Sequence, residues 1–408
     1  MSGYSEKELY EEIRLKNSIL VEGLSFEPGI FKNLDLGHTY VEGVNALFAQ
    51  DKEAHRGIEF PSCFLTPKGN YQVRIRWFRD SRYTLEYEDG QYNIYERGSK
   101  VPVVENVRFK SRSAYYDQKT SDGTSMRTIA QDNGYGVIFI VYSNECSLKD
   151  KGLDCLFCNI NATRAIYAEA QGISWRSPKQ IGETVAAAYK EGFHKLTVSG
   201  GFVPERREVD YYIDVAEAIA DATGLADFNG TACVGAPTDL SVFEKYKEAG
   251  FRTIATNMEV WNEKLFEYIC PGKSQLCGGR QNWLDALREE LNVFGRFKVR
   301  STFVSGLETR ESLLSGISYL VNQGVVAFPS QWYVNVGSAF EGHRTPEDAW
   351  HFDVAERTVD IYRSNGLTWE ELRDATAESD SAVHDLFRLK EGITLDEKGN
   401  WKKSGTKK

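Results

Sequence analysis

The sequence predicts an α/β protein whose central part is a parallel β-sheet covered by helices. Between residues 136 and 366, short apolar runs alternate six times with amphipathic stretches. The apolar runs are continuous, which is typical of strands that are buried on both faces of a parallel sheet. Six strand–helix units can close partly into a (β/α)6 barrel or lie open as a doubly wound sheet. In both folds, ligands bind at the carboxyl ends of the strands.

The first 130 residues follow a different pattern. Residues 5–20 predict a helix, because Ser5 is a suitable N-cap and acidic residues occupy the first turn. The dipeptide Asp89-Gly90 is a hairpin signal, because it separates two alternating runs. Alternating runs typical of strands lie at residues 70–78, 83–96 and 101–111. This part therefore predicts a β-rich N-terminal module preceded by a helix.

Each of the six central units is a predicted strand followed by a predicted helix. The strands are predicted at residues 136–143, 194–201, 226–235, 251–260, 297–306 and 325–335. The helices are predicted at residues 177–192, 208–224, 238–250, 278–295, 309–324 and 345–366. The first of these helices has Ser177 as its cap, Pro178 at its first position and Gly192 as its stop signal.

Three domains follow from these patterns. Residues 1–130 form the N-terminal helix and β-rich module, and residues 131–366 form the (β/α)6 core. Residues 367–408 form a helical, polar C-terminal extension. Residues 115–136 read as a polar connector into the first strand of the core.

Composition excludes several classes of protein. The chain has 408 residues, of which 41% are hydrophobic, so it can bury a large core. A net charge of −10 argues against a broad nucleic-acid surface, which needs clustered positive charge. The sequence has no apolar run of membrane-spanning length and no secretion signal, and its seven cysteines are scattered. We therefore expect a cytoplasmic protein with neither a nucleic-acid partner nor a membrane partner.

The segment NECSLKDKGLDCLFCNIN, residues 144–161, contains Cys146, Cys155 and Cys158. A disulfide uses two cysteines and a tetrahedral zinc site uses four, so three cysteines are an unusual number. Three thiolates can hold three irons of a [4Fe–4S] cluster and leave the fourth iron open to a small molecule. Because this loop follows the first predicted strand, it lies at the carboxyl edge, where the fold places its chemistry.

The cysteine loop resembles that of the radical S-adenosylmethionine (radical SAM) superfamily. The usual loop has three residues between the first two cysteines, two between the last pair, and an aromatic residue before the third. This chain has two residues between Cys155 and Cys158, with Phe157 before the latter, but eight residues between Cys146 and Cys155. The resemblance implies a partial (β/α)6 TIM-like barrel of the biotin-synthase-like branch, with the β-rich N-terminal module and helical C-terminal extension added to it.

Further segments at successive strand ends resemble the parts of this superfamily that bind SAM. Gly200 and Gly201, in TVSGGF, resemble the glycine segment whose backbone meets the SAM amino group. Asn257 and Glu259, in TNMEVW, correspond to contacts with the SAM ribose or methionine moiety. Glu308 ends FVSGLET, which resembles the segment that packs against adenine. The segment after the sixth strand resembles the corresponding loop of the biotin-synthase-like branch.

The resemblance implies a radical SAM enzyme with a [4Fe–4S] cluster and SAM as cofactors. A reduced cluster splits SAM into methionine and a 5′-deoxyadenosyl radical, which abstracts hydrogen from a substrate in the barrel. The protein then has to exclude water and orient one C–H bond. We expect a small-molecule biosynthetic substrate and a reducing electron donor of the flavodoxin or ferredoxin type.

Other interpretations of the cysteines remain open. A structural zinc site would need a fourth ligand for Cys146, Cys155 and Cys158, such as Cys233, Cys270 or Cys277. The chain would then be a non-catalytic binding protein stabilised by zinc or by an iron–sulfur cluster. A cluster with a fourth protein ligand would serve electron transfer, and an iron–sulfur enzyme that does not use SAM, such as a dehydratase, is a further alternative. Metal content and SAM cleavage separate these possibilities.

The remaining cysteines have several interpretations. Cys270 and Cys277, in CPGKSQLCGG, are candidates for an auxiliary site, a redox pair, or ordinary or substrate-facing thiols. We favour the last of these, because two cysteines do not complete a cluster. Cys63 and Cys233 are expected to be buried small hydrophobic residues.

A few other side chains have two interpretations each. His343 and Arg344, after the sixth strand, either meet substrate or belong to a solvated loop. Tyr142 is expected to pack near the cluster, and His194 is expected to be structural. Arg300 and Gln331 lie on strands, and one sequence does not determine which of them faces the barrel interior. This last question requires the strand register.

Overall fold

The computed structural model describes residues 4–42, 59–158, 160, 175–334, 337–376, 381–396 and 400–403. The chain divides into two compact units. The first unit comprises Met1–Ser113, Tyr333–Glu356 and Asp380–Lys408. The second unit comprises Ala114–Trp332 and Arg357–Ser379.

The first unit begins with a helix, Glu6–Glu22. The Ser5 side chain accepts a hydrogen bond from the Glu8 amide at 3.3 Å, and the Glu8 carboxylate accepts one from the Ser5 amide at 2.9 Å. This reciprocal cap fixes the start of the helix, and Gly23, at φ 71°, ends it. The predicted N-terminal helix and its cap are confirmed.

Two small antiparallel sheets follow in this unit, with strand orders β2-β1-β6 and β3-β4-β5. The strands are β1 (Cys63–Leu65), β2 (Gln72–Arg74), β3 (Tyr83–Glu88), β4 (Gln91–Glu96), β5 (Pro102–Val104) and β6 (Arg108–Phe109). Asp89 and Gly90 join β3 to β4 with φ values of 50° and 83°. Two positive φ angles are the geometry of a tight hairpin turn, so the predicted hairpin is confirmed. Aromatic side chains fill the core of this module, where Phe26 stacks on Trp77 at 5.3 Å between ring centroids.

The second unit is built on a seven-stranded sheet of order β13-β12-β11-β10-β9-β8-β7. Its strands are β7 (Gln131–Gly134), β8 (Val137–Val141), β9 (Lys195–Ser199), β10 (Gly230–Val234), β11 (Phe251–Thr256), β12 (Val299–Ser305) and β13 (Val325–Gln331). The strands from β8 to β13 are parallel to one another and coincide with the six predicted strands. The sheet curls into a half-barrel, so the predicted partial barrel is confirmed.

Strand β7 was not predicted, because residues 115–136 read as a connector. Its sequence, Gln-Asp-Asn-Gly, has no apolar run, and it becomes an edge strand by pairing antiparallel with β8. Tyr135 and Gly136 form the turn, with φ values of 52° and 78°. A side chain at Gly136 would lie 2.4 Å from the His194 ring, so this turn requires a glycine where it meets β9. His194 is therefore structural, as predicted.

The helices that follow the parallel strands agree with the prediction. They are Pro178–Lys190, Glu205–Thr223, Val242–Glu248, Gly279–Phe294, Arg310–Gln323 and Asp348–Ser364. The first begins with the predicted cap, since the Ser177 hydroxyl accepts a hydrogen bond from the Gln180 amide. Two short helices between β11 and Gly279–Phe294 were not predicted, and these are Glu263–Ile269 and Pro271–Leu276.

The C-terminal part contains two helices, Trp369–Ala375 and Ala382–Lys390. It ends in an antiparallel pair of strands, β14 (Ile393–Leu395) and β15 (Trp401–Lys403). The predicted extension therefore contains helices, as expected, and also two strands that were not predicted. Residues 404–408 of the predicted extension lie outside the described residues. In the described ranges, no helix combines the length and apolar character needed to cross a membrane.

The strand register separates the two faces of the seven-stranded sheet. Thr256 belongs to the outer face, because its hydroxyl donates a 2.5 Å hydrogen bond to Glu290 on the covering helix Gly279–Phe294. Burial raises the pKa of Glu290 to about 8, so this carboxyl is a neutral partner between helix and sheet at pH 7. Neighbouring residues on one strand alternate between faces, so Thr253 and Ala255 belong to the inner, concave face.

The inner face of the half-barrel is defined by residues that pair across the strands. Thr197 pairs with Thr231, and Thr231 pairs with Thr253. One layer closer to the carboxyl edge, Ala255 pairs with Arg300. Arg300 therefore faces the barrel interior. Gln331 pairs with Ser305, which is five positions after Arg300, so Gln331 belongs to the outer face.

Candidate functional site

The cysteine loop leaves the carboxyl end of β8. Cys146 is the N-cap residue of a short helix, Ser147–Asp150, and the Ser147 amide donates to the Phe202 carbonyl at 2.7 Å. Further along the loop, the Cys158 amide donates to the Cys155 carbonyl at 3.0 Å, which closes a turn around the last two cysteines. The loop therefore lies at the carboxyl edge of the first parallel strand, as the sequence predicts.

The other two thiols of the loop act electrostatically on Cys158. The pKa of Cys158 is raised to about 12, chiefly by burial and with contributions from Cys155 and Cys146. A positive group bound beside Cys158 would favour its thiolate. In the part of the chain that the structure describes, no three His, Cys, Asp or Glu side chains converge on one metal-ion position. A cluster, by contrast, takes each thiolate on a different iron, so the donor chemistry of the loop fits a [4Fe–4S] group.

The glycine pair after β9 packs directly against this loop. A side chain at Gly201 would place its Cβ 2.0 Å from the Glu145 carbonyl oxygen and 2.8 Å from Ile160. The Gly201 amide also donates to the Ser143 carbonyl at 3.0 Å. Gly200 lies similarly close to the Tyr142 ring, at 2.5 Å from a built Cβ. Both positions need glycine because of packing, whatever ligand binds beside them.

Gly201→Ala is expected to displace the backbone next to Cys146, because Cβ and a backbone oxygen cannot approach to 2.0 Å. We expect the free energy of unfolding to fall by about 1–3 kcal/mol, as in other overpacked sites. Bound iron after reconstitution should fall as well, since Glu145 precedes the first cysteine. Denaturant unfolding and iron analysis measure both effects. Gly29→Ala is the control, because a Cβ there meets nothing within 4 Å. Equal iron and stability in Gly201→Ala and the wild type would contradict this expectation.

Asn257 follows β11 on the inner face and joins two strands. Its Oδ1 accepts a 3.1 Å hydrogen bond from the Thr302 amide, and its Nδ2 lies 3.6 Å from the Cys233 sulfur. Cys233 is half-buried, so the expectation of a fully buried thiol is wrong for Cys233 and confirmed for Cys63. The inner face is therefore less tightly covered at Cys233 than at Ala255, which is fully buried.

Glu259 forms an ion pair that the sequence did not reveal. Its carboxylate lies 2.9 Å from Lys273 Nζ, and both side chains are largely buried. Lys273 Nζ also donates to the Asn257 carbonyl at 2.9 Å. Burial lowers the pKa of Lys273, but the negative charge of Glu259 outweighs this, with smaller contributions from Cys155 and Cys270, so the net pKa is raised. Lys273 therefore stays protonated beside the cysteine loop.

The backbone at Glu259 is unusual, because its φ of 65° is uncommon for a residue other than glycine. Two hydrogen bonds to β12 hold it there. The Glu259 amide donates to the Thr302 carbonyl at 2.9 Å, and the Val304 amide donates to the Glu259 carbonyl at 2.8 Å. Such conformations persist where the surrounding structure over-determines them, and they concentrate at functional sites.

Glu308 ties the loop after β11 to the loop after β12. Its carboxylate accepts hydrogen bonds from the amides of Trp261 and Asn262, at 2.7 and 3.0 Å, and from the Ser312 hydroxyl at 2.6 Å. Three donors occupy this buried carboxylate. The structure thus gives Glu308 a role in positioning the strand-end loops.

The segment around Cys270 lies against the cysteine loop. The Leu156 amide donates to the Ile269 carbonyl, and the Gly272 amide donates to the Leu153 carbonyl, both at 2.9 Å. Cys270 is fully buried and hydrogen-bonds the Cys155 thiol. Cys277 is also buried, and burial raises its pKa to about 11. That these two are ordinary or substrate-facing thiols stays a prediction.

The other candidate side chains lie in different elements of the structure. Phe157 is half-buried within the cysteine loop. Tyr142 stacks on Tyr211 of the covering helix Glu205–Thr223 at 4.5 Å between centroids, so it belongs to the outer face. His343 and Arg344 are exposed and belong to the first unit.

The chain resembles several known proteins over part of its length. No protein-family model matches it. Bacteriochlorophyllide c C-7(1)-hydroxylase from Chlorobaculum limnaeum is 25% identical over 303 residues, covering 69% of this chain and 73% of the relative. Among solved structures, methylornithine synthase matches with 18% identity and a TM-score of 0.41, covering 62% of this chain and 67% of that one. Coproporphyrinogen III oxidase from Escherichia coli, described as a radical SAM enzyme, matches with 13% identity and a TM-score of 0.40, covering 66% and 60%.

The half-barrel with a cysteine loop at its carboxyl edge agrees with the class that the sequence resembles, the radical SAM enzymes. The predicted fold is confirmed.

Proposed function

We propose that Cys146, Cys155 and Cys158 bind a [4Fe–4S] cluster and that the enzyme cleaves SAM to start hydrogen abstraction from a small molecule. The placement of all three cysteines on one loop at the carboxyl edge of the half-barrel, where the other two raise the pKa of Cys158, carries this proposal. When bound, the cluster supplies the electron that splits SAM into methionine and a 5′-deoxyadenosyl radical.

The chain's own residues have distinct tasks in this proposal. Gly200 and Gly201 let the end of β9 pack closely against the cysteine loop, and their backbone is the proposed contact of the SAM amino group. Asn257 and Glu259 present polar atoms at the end of β11 to the ribose or methionine moiety. Glu308 positions the neighbouring loop, which packs against adenine. Phe157 shields the loop from water, which limits side reactions of a radical.

The substrate is proposed to be a small biosynthetic intermediate whose C–H bond is broken first. The relative is named as a hydroxylase, and hydroxylation at carbon replaces a C–H bond by a C–O bond. The inner face supports a substrate position near the carboxyl edge of the half-barrel, because Cys233, Asn257 and Thr302 are partly exposed there. We further propose a flavodoxin- or ferredoxin-type protein as the electron donor.

The test is SAM cleavage by the reconstituted protein. The protein is loaded anaerobically with iron and sulfide, reduced and mixed with SAM, and the expected product is 5′-deoxyadenosine, detected by mass spectrometry. A full complement of iron with intact SAM would contradict the proposal and favour an iron–sulfur enzyme of another kind. One zinc per chain without iron would instead indicate a zinc-stabilised binding protein.

A further inference from the structure

The inner face of the half-barrel carries small side chains where a closed barrel is packed with bulky ones. A complete TIM barrel fills its interior with layers of large branched residues. Here one layer contains Thr197, Thr231 and Thr253, and the next layer contains Ala255 beside Arg300. The deeper layer is closed, because Thr197, Thr231 and Thr253 are fully buried. Nearer the carboxyl edge, Cys233, Asn257 and Thr302 are partly exposed, so a ligand can approach Arg300 from that edge.

Arg300 is a buried cation without a counter-charge. Its side chain extends from β12 on the inner face, and the residue is only 8% exposed. Its Nε has no hydrogen-bond partner, and among the described residues its guanidinium takes part in no hydrogen bond or ion pair. Arg252, at the amino end of β11, differs in this respect, because its guanidinium lies 2.7 Å from the Asp227 carboxylate.

Polar groups lie deeper on the same face as Arg300. Lys195 lies deeper on the same face, two positions before Thr197, and donates a hydrogen bond to the Asp374 carbonyl. The pKa of Lys195 is lowered to about 7, chiefly by burial and with a smaller contribution from Arg300, against the opposing effect of Asp374. Thr197 Oγ1 is a second buried polar atom without a partner among the described residues. The deep lumen is therefore polar.

We propose that Arg300 binds a carboxylate group of the substrate. An isolated buried charge is unfavourable, so its place in the lumen is explained if a bound ligand supplies the opposite charge. The planar guanidinium matches a carboxylate through two parallel hydrogen bonds. Phe139, paired with Thr197 and partly exposed, provides apolar surface on the same face for the body of an organic acid.

This placement assigns an orientation to the substrate. Asn257 is the next inner-face residue after Ala255 towards the carboxyl edge, and it reaches the Cys233 sulfur. A carboxylate held at Arg300 lies below this level, so the rest of the molecule extends towards the edge where the cysteine loop lies. The inference rests on the proposed function, because it names the substrate class of that same lumen.

Binding of simple probes tests the proposal on the reconstituted enzyme. The probes are benzoate, its neutral isostere benzamide, and inorganic phosphate, and the measurements are calorimetric titration and thermal unfolding. We expect benzoate to bind and stabilise the wild type, and Arg300→Gln to weaken benzoate binding at least about tenfold. Benzamide should bind the two proteins equally. Arg252→Gln is the matched control, and it should bind benzoate like the wild type.

Several results would overturn the proposal. These are a wild type that benzoate does not stabilise, an Arg300→Gln variant that binds benzoate as the wild type does, and phosphate binding that is tighter than benzoate binding. The unfolding temperature shows whether the variant is folded. Arg300→Gln removes an uncompensated charge, so it should unfold at the same temperature as the ligand-free wild type or at a higher one. A clear decrease in that temperature would show that the charge is compensated, which also contradicts the proposal.

SAM cleavage separates this inference from the proposed function. Without substrate, SAM binding by Arg300→Gln is measured beside that of the wild type. Loss of SAM binding in this variant would assign Arg300 to the SAM carboxylate and overturn the substrate assignment. If the wild type also fails to cleave SAM, the proposed function is wrong, and the benzoate titration still decides whether Arg300 forms an anion site.

Discussion

Cys158→Ala is expected to lose most of the iron bound on reconstitution and to lower the rate of 5′-deoxyadenosine formation by about three orders of magnitude or more. In the proposed cluster three thiolates hold three irons, so removing one would leave two protein ligands and two open irons. The turn between Cys155 and Cys158 remains, since its hydrogen bond is made by backbone atoms. The loss is thus chemical rather than conformational. Iron and sulfide analysis together with product detection measure it.

Cys277→Ala is the matched control, because Cys277 is another buried thiol of the same unit that senses Cys155 and Cys146 electrostatically. If no protein residue binds the fourth iron, Cys277→Ala should retain its bound iron and its rate of SAM cleavage. An equal loss of iron in the two variants would mean that Cys277 is a fourth ligand. The cluster would then be closed by protein, and the electron-transfer alternative would replace the enzyme.

The parallel strands and their helices could be predicted because their signals are local. Each central strand is a continuous apolar run, and caps such as Ser177 mark the helix starts. Strand β7 could not be predicted, because its pairing with β8 gives Gln131–Gly134 their extended structure while their own sequence resembles a connector. The helices Glu263–Ile269 and Pro271–Leu276 are each under eight residues, too short to show a periodic pattern.

The candidate site shows the same division between local and long-range information. Cysteine spacing and the Gly200-Gly201 pair are visible in the sequence, so their positions could be predicted. Lys273 was missed, because it lies on an unpredicted helix and meets Glu259 only through the fold. The orientation of Arg300 depends on its pairing with Ala255, and strand register is a property of two strands rather than one.

Asp385→Asn is expected to lower the free energy of unfolding by about 3–5 kcal/mol, because it leaves buried cations without a counter-charge. In the first unit, Lys16 Nζ lies 2.6 Å from Asp385 Oδ2, and both side chains are fully buried. Arg388, one turn away, pairs with the other oxygen of the same carboxylate. One anion therefore balances two cations that water cannot reach, so its loss costs more than the loss of either cation.

Lys16→Met gives the comparison that identifies charge as the cause. Arg388 still balances Asp385 in that variant, so we expect a smaller loss of stability than in Asp385→Asn. In the double variant the substitutions should be non-additive, because removing Lys16 relieves one of the two stranded cations. Lys68→Met serves as the surface control, since Lys68 lies 3.6 Å from Glu8 with both side chains exposed, and it should cost less than about 1 kcal/mol. Urea unfolding of the four variants and the wild type measures these differences. Equal losses of stability in Asp385→Asn and Lys68→Met would contradict this expectation. They would show that water reaches this site and solvates Lys16 and Arg388 when the carboxylate is removed.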